Sequence, residues 1–327
     1  MTISPTTAPQ ETLTPAPLKG GGRRAPADTG FRWLSFLAGF LVLAVLVGII
    51  ISMTSKAWPA FSKMGFSYFT EEKIDQVNQI YGSKSYIYGT IVVSFLAVLF
   101  AVPISLGIAL FVTEVAPQRL RWWITTIMDL LASVPSVVFG LWGFLILRPH
   151  LNDIYNSIHA HVESIPVLNT VFGPSGGGNS FMTAGLIVGL MITPIITSIA
   201  REVFATVPRN DKDGALALGA TRWEMIRGVV LPHSSGGIVG AVMLGLGRAM
   251  GETIAIALVI GANPQIVSNL FATGEAMPSV IVRNLPESSG DFQAALIGLG
   301  VVLMALTVLV NIGAKLLVAR IDRLRGA

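Results

Sequence analysis

The sequence predicts an all-α integral membrane protein with six transmembrane helices. Its composition is too apolar for a soluble globule, because 52% of the 327 residues are hydrophobic and only 12% are charged. Long runs without charge recur along the chain, and each can cross a hydrocarbon core about 30 Å thick. Lys and Arg gather in alternate connecting segments, which is typical of multi-span proteins.

The six spans are predicted near residues 33 to 54, 86 to 113, 124 to 147, 180 to 200, 234 to 260 and 293 to 314. A segment rich in Pro, Thr, Ala and Gly precedes the first span, and we expect residues 1–30 to form a disordered cytoplasmic tail. The transmembrane domain then covers residues 31–327. The last span, ALIGLGVVLMALTVLVNIGA, is uninterrupted, whereas the fifth contains two charges.

Spans two, three and four each contain a proline, at Pro103, Pro135 and Pro194. Proline removes a backbone donor and would kink or interrupt each helix. Two interpretations stay open. The breaks face protein or a water-filled cavity, as in transporters, or they are the ordinary prolines of membrane helices.

The basic residues predict the orientation of the chain. With the N-terminus inside, fifteen Lys and Arg fall in inside segments and six in outside segments. Both termini are therefore expected to be cytoplasmic. The excess of four positive charges over the whole chain is small, and no nucleic-acid partner is expected.

The fifth span carries two charges in GLGRAMGETIAIALVIG, residues 245 to 261. On an uninterrupted helix, Arg248 and Glu252 would lie about 6 Å apart along the axis, on one face, where they can pair. A charge at mid-bilayer costs about 2.5 to 3.5 kcal/mol on insertion scales, so such residues are functional by default. The pair either lines a translocation path, with Thr253 beside it, or locks helices or subunits together as a static ion pair.

The sequence lacks the residues that catalysis would need. It has no cysteine, no Ser/His/Asp or paired-carboxylate constellation, and no G-x-x-x-x-G-K-[ST] loop to hold ATP. His159 and His161, two residues apart, do not share a helix face, and no metal site is expected. We therefore expect a protein that is not an enzyme and that binds no cofactor of its own.

The segment VPRNDKDGALALGATRWEMIRGVVLP, residues 207–232, predicts a short helix, a turn at Gly219 and a second helix on the cytoplasmic side. From periodicity alone it is a solvated connector at the lipid surface. Yet Asp213-Gly214-Ala215, then Gly219, then nine residues, then Val229-Val230-Leu231-Pro232 resembles the EAA motif of ABC importer permeases. That motif is the loop that docks on the ATPase subunit, and the sequence departs from it at Asp213 and Gly214, where Glu and Ala are usual.

The resemblance covers residues 86–318 and is closest to the phosphate-specific ABC importer permeases of the PstC type. The stretches that carry it are LLASVPSVVFGLWG (130 to 143), YGTIVVSFLAVLFAVPISLGIALFVTE (88 to 114) and LGLGRAMGETIAIALVIGAN (244 to 263). The resemblance implies the type I ABC importer permease fold, which is also called MetI-like. It also implies multi-pass location in a bacterial inner membrane.

The resemblance also implies partners and site residues. It implies a homologous PstA-type permease, two ATPase subunits that carry ATP and Mg, and an extracytoplasmic phosphate-binding protein, all working in the lipid bilayer. The implied translocation residues are Arg248, Glu252 and Thr253. The implied coupling residues are Asp213, Ala215, Gly219, Ala220, Leu231 and Pro232. A sulfate or molybdate permease, the sister PstA-type subunit and a secondary transporter remain as alternatives.

Overall fold

The computed structural model describes residues 26–72, 74–75 and 78–325, and helices dominate these residues. The described chain divides between Ile51 and Ser52 into two compact units. The predicted tail over residues 1–25 lies outside the described residues. Residues 26–30, which the sequence assigned to that tail, instead begin the first helix, since proline is tolerated in the first turn of a helix.

The first unit contains the opening part of helix α1 (Pro26–Met64). From Gly30 to Ile51 its side chains are exposed, and they are almost entirely apolar. A helix that is apolar around its whole circumference is stable in lipid rather than in water. This part of the first predicted span therefore has the surface of a lipid-facing helix.

The second unit contains the rest of α1 and all the following elements. They are α2 (Ser67–Thr70), β1 (Ile74–Asp75), β2 (Ile80–Tyr81), α3 (Lys84–Leu110), α4 (Gln118–Ser133), α5 (Ser136–Trp142), α6 (Arg148–Val162), α7 (Pro166–Val171), α8 (Phe181–Ala205), α9 (Arg209–Ala217), α10 (Arg222–Met225), α11 (Leu231–His233), α12 (Ser235–Gly251), α13 (Ile254–Val259), α14 (Met277–Asn284) and α15 (Gly290–Arg325). Strands β1 and β2 form an antiparallel hairpin in which Ile74 pairs with Tyr81. Wider π-helical turns follow α3, α5 and α10 at Phe111–Val115, Gly143–Leu147 and Ile226–Val230.

Within the described residues, four helices are long and apolar enough to cross a membrane. They correspond to predicted spans one, two, four and six, over Gly30–Met64, Lys84–Val115, Phe181–Ala205 and Gly290–Leu316. Two bent pairs meet the same criteria only when each pair is taken together: Gln118–Ser133 with Ser136–Val162, and Arg222–His233 with Ser235–Gly251. The described residues therefore hold four to six spans.

Predicted span three is broken where the sequence has a proline. Val134 and Pro135 have extended backbone between α4 and α5, and the helices on the two sides differ in direction by 92°. Proline removes an amide donor and disfavours the helical conformation of the residue before it. Pro103 and Pro194 lie inside α3 and α8, which continue through them. Of the three prolines, Pro135 alone stands at such a break.

The centre of the second unit is the contact between α3 and α8. A Cβ added at Gly185 would lie 2.6 Å from Leu96 Cβ, and one at Gly189 would lie 3.0 Å from the Ala97 carbonyl oxygen. Small residues let the two helix backbones approach closely, which is how membrane helices gain packing contacts. Val93, Ala97, Ile187 and Ile192 are buried at this contact. Helix α12 packs against both helices of this pair.

A second cluster lies where α15 begins. Tyr68 is fully buried and donates a hydrogen bond to the Ala295 carbonyl at 2.8 Å. Lys63 Nζ lies 2.8 Å from Asp291 Oδ2. These contacts place the start of α15 beside the end of α1. From there α15 runs for 36 residues, or about 54 Å at 1.5 Å per residue.

Candidate translocation cavity and coupling segment

A cavity of about 880 Å³ lies along α12. Its lining residues come from α8, α12 and α15: Ile195, Gly236, Val239, Gly240, Met243, Leu244, Gly247, Arg248, Asn311 and Lys315. We call it the cation cavity, because Arg248 and Lys315 are the charged residues of this lining. Its volume lies in the range of small-molecule sites.

The glycines of α12 divide between two faces. A Cβ added at Gly237 would lie 2.4 Å from Val203 Cγ1, and one at Gly245 would lie 2.7 Å from Ile196 Cδ1, so these two allow close packing on α8. In contrast, a Cβ added at Gly236, Gly240 or Gly247 would meet no atom within 4 Å. The second set keeps the cation cavity wide.

Arg248 lies in the last turn of α12, and its side chain is exposed to the cation cavity. It forms no ion pair within 4.0 Å with any side chain that the structure describes. A guanidinium that stays charged and offers five donors can bind a carboxylate or phosphate group through two parallel hydrogen bonds. The residue is therefore suited to bind an oxyanion.

Glu252 does not continue the helix that carries Arg248. Helix α12 ends at Gly251, Glu252 has extended backbone with φ −69° and ψ 131°, and α13 begins at Ile254. The Ala255 amide donates to Glu252 Oε1 at 3.3 Å, while the Thr253 hydroxyl donates to the Gly251 carbonyl at 3.1 Å. We call Glu252 and Thr253 the span-five break. The Glu252 side chain is 9% exposed and holds the start of the next helix.

The predicted pairing of Arg248 with Glu252 is therefore wrong, because the two residues do not lie on one continuous helix. That prediction required one uninterrupted helix over residues 234–260, in which the two residues share a face. The carboxylate instead accepts a backbone hydrogen bond from the Ala255 amide in the first turn of α13. Thr253 lies in the same break and is outside the lining of the cation cavity.

The coupling segment, residues 207–232, has the predicted helix, turn and helix. Helix α9 ends in a Schellman motif, in which the Ala220 amide donates to the Ala215 carbonyl at 3.1 Å and the Gly219 amide to Leu216 at 3.0 Å. Gly219 has φ +88°, a conformation that favours glycine. Ala215, Gly219 and Ala220 thus act together to fix the turn.

The second helix of the coupling segment begins with a capping box. The Glu224 amide donates to the Thr221 hydroxyl at 3.3 Å, and Glu224 Oε2 accepts from the Thr221 amide at 2.7 Å. Both hydrogen bonds satisfy backbone groups that the start of a helix leaves free. The direction of the second helix is therefore fixed immediately after the Gly219 turn.

A buried apolar cluster attaches the coupling segment to the ends of α3 and α8. Met225, Ile226 and Val230 are buried there against Ala109 and Phe204, with Ala215 and Leu231 partly buried beside them. Lys212 Nζ also lies 2.6 Å from Glu114 Oε1 in the turn that ends the second span. The coupling segment is therefore attached directly to the ends of two spans.

The opposite face of the coupling segment is exposed and partly apolar. The side chain of Leu218 is 91% exposed and that of Trp223 is 62% exposed, while Asp213 and Pro232 are also exposed. Large apolar side chains exposed close together in the sequence are typical of an interaction surface. We call Leu218 and Trp223 the exposed apolar face.

The structure thus brings the predicted site residues together in two groups. The coupling residues share one segment, whereas Arg248 is separated from Glu252 and Thr253 by the end of α12. Sequence reasoning did not identify Glu114 as the partner of Lys212, or Asn311 and Lys315 as cavity residues. Glu114 follows a span directly, but no sequence pattern joins residues 98 positions apart.

Solved structures of ABC transporters have a similar fold. A chain of a bacterial alginate ABC transporter, in complex with an alginate pentasaccharide-bound periplasmic protein, matches with a TM-score of 0.60 and 16% identity, covering 91% of this chain and 98% of that one. A chain of the inward-facing MetNI methionine ABC transporter matches with a TM-score of 0.52 and 14% identity, covering 72% and 94%. The fold is that of the type I ABC importer permeases, also called MetI-like.

The family follows from the sequence comparison. The chain belongs to the family described as binding-protein-dependent transport system inner membrane component, whose family model matches residues 101–323. It is a multi-pass inner-membrane protein of a transport system rather than an enzyme.

Curated relatives match over nearly the full length. A relative from Xylella fastidiosa (strain Temecula1) is 39% identical over 328 residues, covering 99% of this chain and 100% of the relative. One from Mesorhizobium japonicum is 39% identical over 307 residues, covering 93% and 94%. Both are named phosphate transport system permease protein PstC. A relative from Mycobacterium tuberculosis, named PstC 1, is 36% identical and covers 92% and 95%.

Proposed function

We propose that this chain is the membrane-spanning permease subunit of an ATP-driven importer of inorganic phosphate. The observation that carries the proposal is the match to phosphate permeases along almost the whole of both chains, which includes the cation cavity and the coupling segment. The substrate assignment agrees with the chemistry of the cavity, where Arg248 offers donors to an oxyanion and the described lining contains no acidic residue.

The coupling segment is the part that receives energy from ATP. Two ATPase subunits carry ATP and Mg, and one of them docks on the exposed apolar face of Leu218 and Trp223. The rigid Gly219 turn and the buried cluster beneath it support this role, because they make the segment a lever attached to α3 and α8. This chain binds no cofactor itself. Asp213, Ala215, Gly219, Ala220, Leu231 and Pro232 form or support the docking surface.

Arg248 lines the translocation path and offsets the charge of the passing anion. Its lack of a carboxylate partner among the described side chains supports this role over that of a static ion pair. Glu252 and Thr253 act at the span-five break, where a change in backbone direction can open or close the end of the path. Moderate affinity for the anion at Arg248 suits passage, since an anion bound too tightly would not be released.

The complete transporter contains further chains. A homologous PstA-type permease supplies the other half of the path, and an extracytoplasmic phosphate-binding protein delivers the substrate. Both termini of this chain are cytoplasmic, and the coupling segment faces the cytoplasm. The excess of Lys and Arg in the inside segments supports this orientation.

Other functions have weaker support. A sulfate or molybdate permease would share the fold and the coupling segment, but the names of the full-length relatives favour phosphate. Those names also favour the PstC type over the sister PstA type. A secondary transporter would need no docking segment for an ATPase.

The test is uptake of labelled phosphate into proteoliposomes that hold this chain, the PstA-type permease and the ATPase. The binding protein is added outside and ATP is enclosed. We expect uptake that requires ATP and is unaffected by excess sulfate or molybdate. Uptake without ATP would indicate a secondary carrier, and competition by sulfate would overturn the substrate assignment.

A further inference from the structure

The cation cavity extends far beyond Arg248. Its lining on α12 runs from Gly236 to Arg248, which lies twelve positions later, or about 18 Å along the helix axis. At the other wall, Asn311 and Lys315 lie one turn apart on α15. Neither of these residues belongs to the fifth span, and the function proposed above gives them no role.

Lys315 lies far from the start of its helix. It is 25 residues after Gly290, or about 37 Å along the axis, and α15 begins beside the end of α1. Helix α12 begins directly after the coupling segment and ends at the span-five break, which leads into α13. Both α13 and the start of α15 pack against α14, so α15 begins at the same end of the structure as the break. Lys315 therefore lies toward the coupling-segment end, while Arg248 lies toward the break.

The cavity between these two cations is open and positively charged. The three glycines that face it have no atom within 4 Å of an added Cβ. Its described lining has two cationic side chains and no acidic one, and both cationic side chains are exposed. A cleft with apolar walls and charges of one sign concentrates ions of the opposite sign.

We propose that Lys315, with Asn311, forms a second oxyanion site at the coupling-segment end of the path. The site takes a free tetrahedral dianion of the phosphate class after Arg248 releases it. The proposal rests on the proposed function, in which Arg248 lines the path. The Lys315 ammonium and the Asn311 amide donate hydrogen bonds to the anion. Lysine is a flexible point charge rather than a rigid fork, which suits release into the cytoplasm.

Thiol labelling tests the charge of the cavity directly. This chain has no cysteine, so Met243→Cys places one thiol in the cavity lining, and labelling is read from the mass of this chain. The assembled transporter is held in phosphatidylcholine nanodiscs and treated with an anionic or a cationic methanethiosulfonate. We expect the anionic reagent to react roughly tenfold faster, Lys315→Gln to reduce that ratio several-fold, and millimolar inorganic phosphate to slow labelling when Lys315 is present.

The matched control is Arg320→Gln, which removes one positive charge from the same helix at a residue outside the cavity lining. It should leave the labelling ratio unchanged. The proposal is overturned if Lys315→Gln does not change the ratio, or if the thiol is unreachable because a partner chain fills the cavity. The labelling is repeated in nanodiscs that contain an anionic phospholipid. The proposal is also overturned if this lipid protects the thiol and added phosphate does not, since the occupant would then be a lipid headgroup.

Measurements of phosphate uptake distinguish a failure of this inference from a failure of the proposed function. We expect Lys315→Gln to lower the maximal rate of ATP-dependent phosphate uptake roughly fivefold, with Lys315→Arg restoring much of it and Arg320→Gln having little effect. If the unmodified transporter shows no ATP-dependent phosphate uptake, the proposed function fails, whereas the labelling experiment still tests the anion site. If uptake is normal and Lys315→Gln equals the unmodified chain, only the second site is rejected.

Discussion

Lys212 Nζ lies 2.6 Å from Glu114 Oε1, and this ion pair joins the coupling segment to the turn that ends the second span. The side chains are only 16% and 9% exposed. Lys212 also donates to the Phe204 carbonyl at 3.5 Å, near the end of α8. One side chain thus connects the first coupling helix to two spans.

We predict that Lys212→Met uncouples ATP hydrolysis from transport. The variant leaves Glu114 largely buried without its partner, which costs about 3 to 5 kcal/mol for a buried pair, so the contact between α9 and the second span loosens. ATP-dependent uptake in proteoliposomes should fall several-fold, while ATPase activity should persist.

Two controls test whether the pair itself is responsible. The exchange Lys212→Glu with Glu114→Lys should restore part of the coupling. Lys84→Met removes a lysine from the exposed pair with Glu72, whose atoms lie 3.9 Å apart, and should change uptake little, because exposed pairs contribute about 0 to 1 kcal/mol. Normal uptake by Lys212→Met would show that the pair does not transmit movement.

Gly219 supports a second prediction, because its φ of +88° fixes the turn of the coupling segment. An added Cβ would meet no atom within 4 Å, so Gly219→Ala tests backbone strain alone, at a cost of about 1 to 2 kcal/mol. Gly219→Arg adds bulk at the proposed docking surface. We expect the ATPase to copurify less with Gly219→Ala and to be nearly lost with Gly219→Arg, and uptake should follow.

Gly214 provides the matched control for the turn. It lies inside α9, and an added Cβ there also meets open space. Gly214→Ala should favour the helix by roughly 1 kcal/mol and maintain or increase copurification of the ATPase. Equal binding by Gly219→Arg and the unmodified chain would rule out docking at this turn.

Arg248 and Glu252 support a third prediction, since they form no ion pair in the structure. The two substitutions should therefore reduce uptake by independent mechanisms. Arg248→Gln removes the cation from the cavity, whereas Glu252→Ala removes the acceptor for the Ala255 amide at the start of α13. The effects on the free energy of activation for uptake should add within about 0.5 kcal/mol. A large coupling energy in the double-mutant cycle would instead indicate that the two side chains pair during transport. Glu252→Gln retains an acceptor for the Ala255 amide and should be milder than Glu252→Ala.

The spans that the sequence predicted best are those in which hydropathy alone decides the structure. Residues 293 to 314 form a long apolar run that lies in one continuous helix. Residues 180 to 200 form another, and the helix there begins one residue later, at Phe181. Lipid allows no unsatisfied backbone groups, so such a run must be helical. The turn at Gly219 was equally predictable, because few residues other than glycine suit a helix end of that type.

The helix breaks and the side-chain pairs were harder to predict. Several interactions compete at each of these positions, and a local sequence pattern does not show which of them forms. Pro103, Pro135 and Pro194 have the same local effect, yet tertiary packing maintains α3 and α8 while the chain bends at Pro135. Similarly, Glu252 had two possible partners, the Arg248 side chain four residues earlier and the Ala255 amide three residues later. The pairing of Lys212 with Glu114 depends on the fold as a whole.

The last prediction concerns pH and Arg283 of α14, whose guanidinium contacts both Glu275 and the Gly261 carbonyl. Arg283 Nη2 lies 2.9 Å from Glu275 Oε1, and Nη1 donates to the Gly261 carbonyl at 3.0 Å. Burial raises the pKa of Glu275, and the Arg283 charge opposes that rise. Arg283→Ala removes the opposing charge. The pKa of Glu275 in the folded protein should therefore lie still further above its value in the unfolded chain.

The sign of the effect follows from proton binding. Between the ordinary pKa of Glu and the raised one, the folded protein binds more protons than the unfolded chain, so stability is lost as pH rises through that window. We therefore expect Arg283→Ala to cost about 1 to 3 kcal/mol at pH 8 and clearly less at pH 5, measured as the melting temperature of the purified transporter. The pH-dependent part should disappear in Arg283→Ala with Glu275→Gln, because that chain has no carboxylate to titrate. A loss of equal size at both pH values would mean that the bond to Gly261, rather than the charge on Glu275, is what Arg283 contributes.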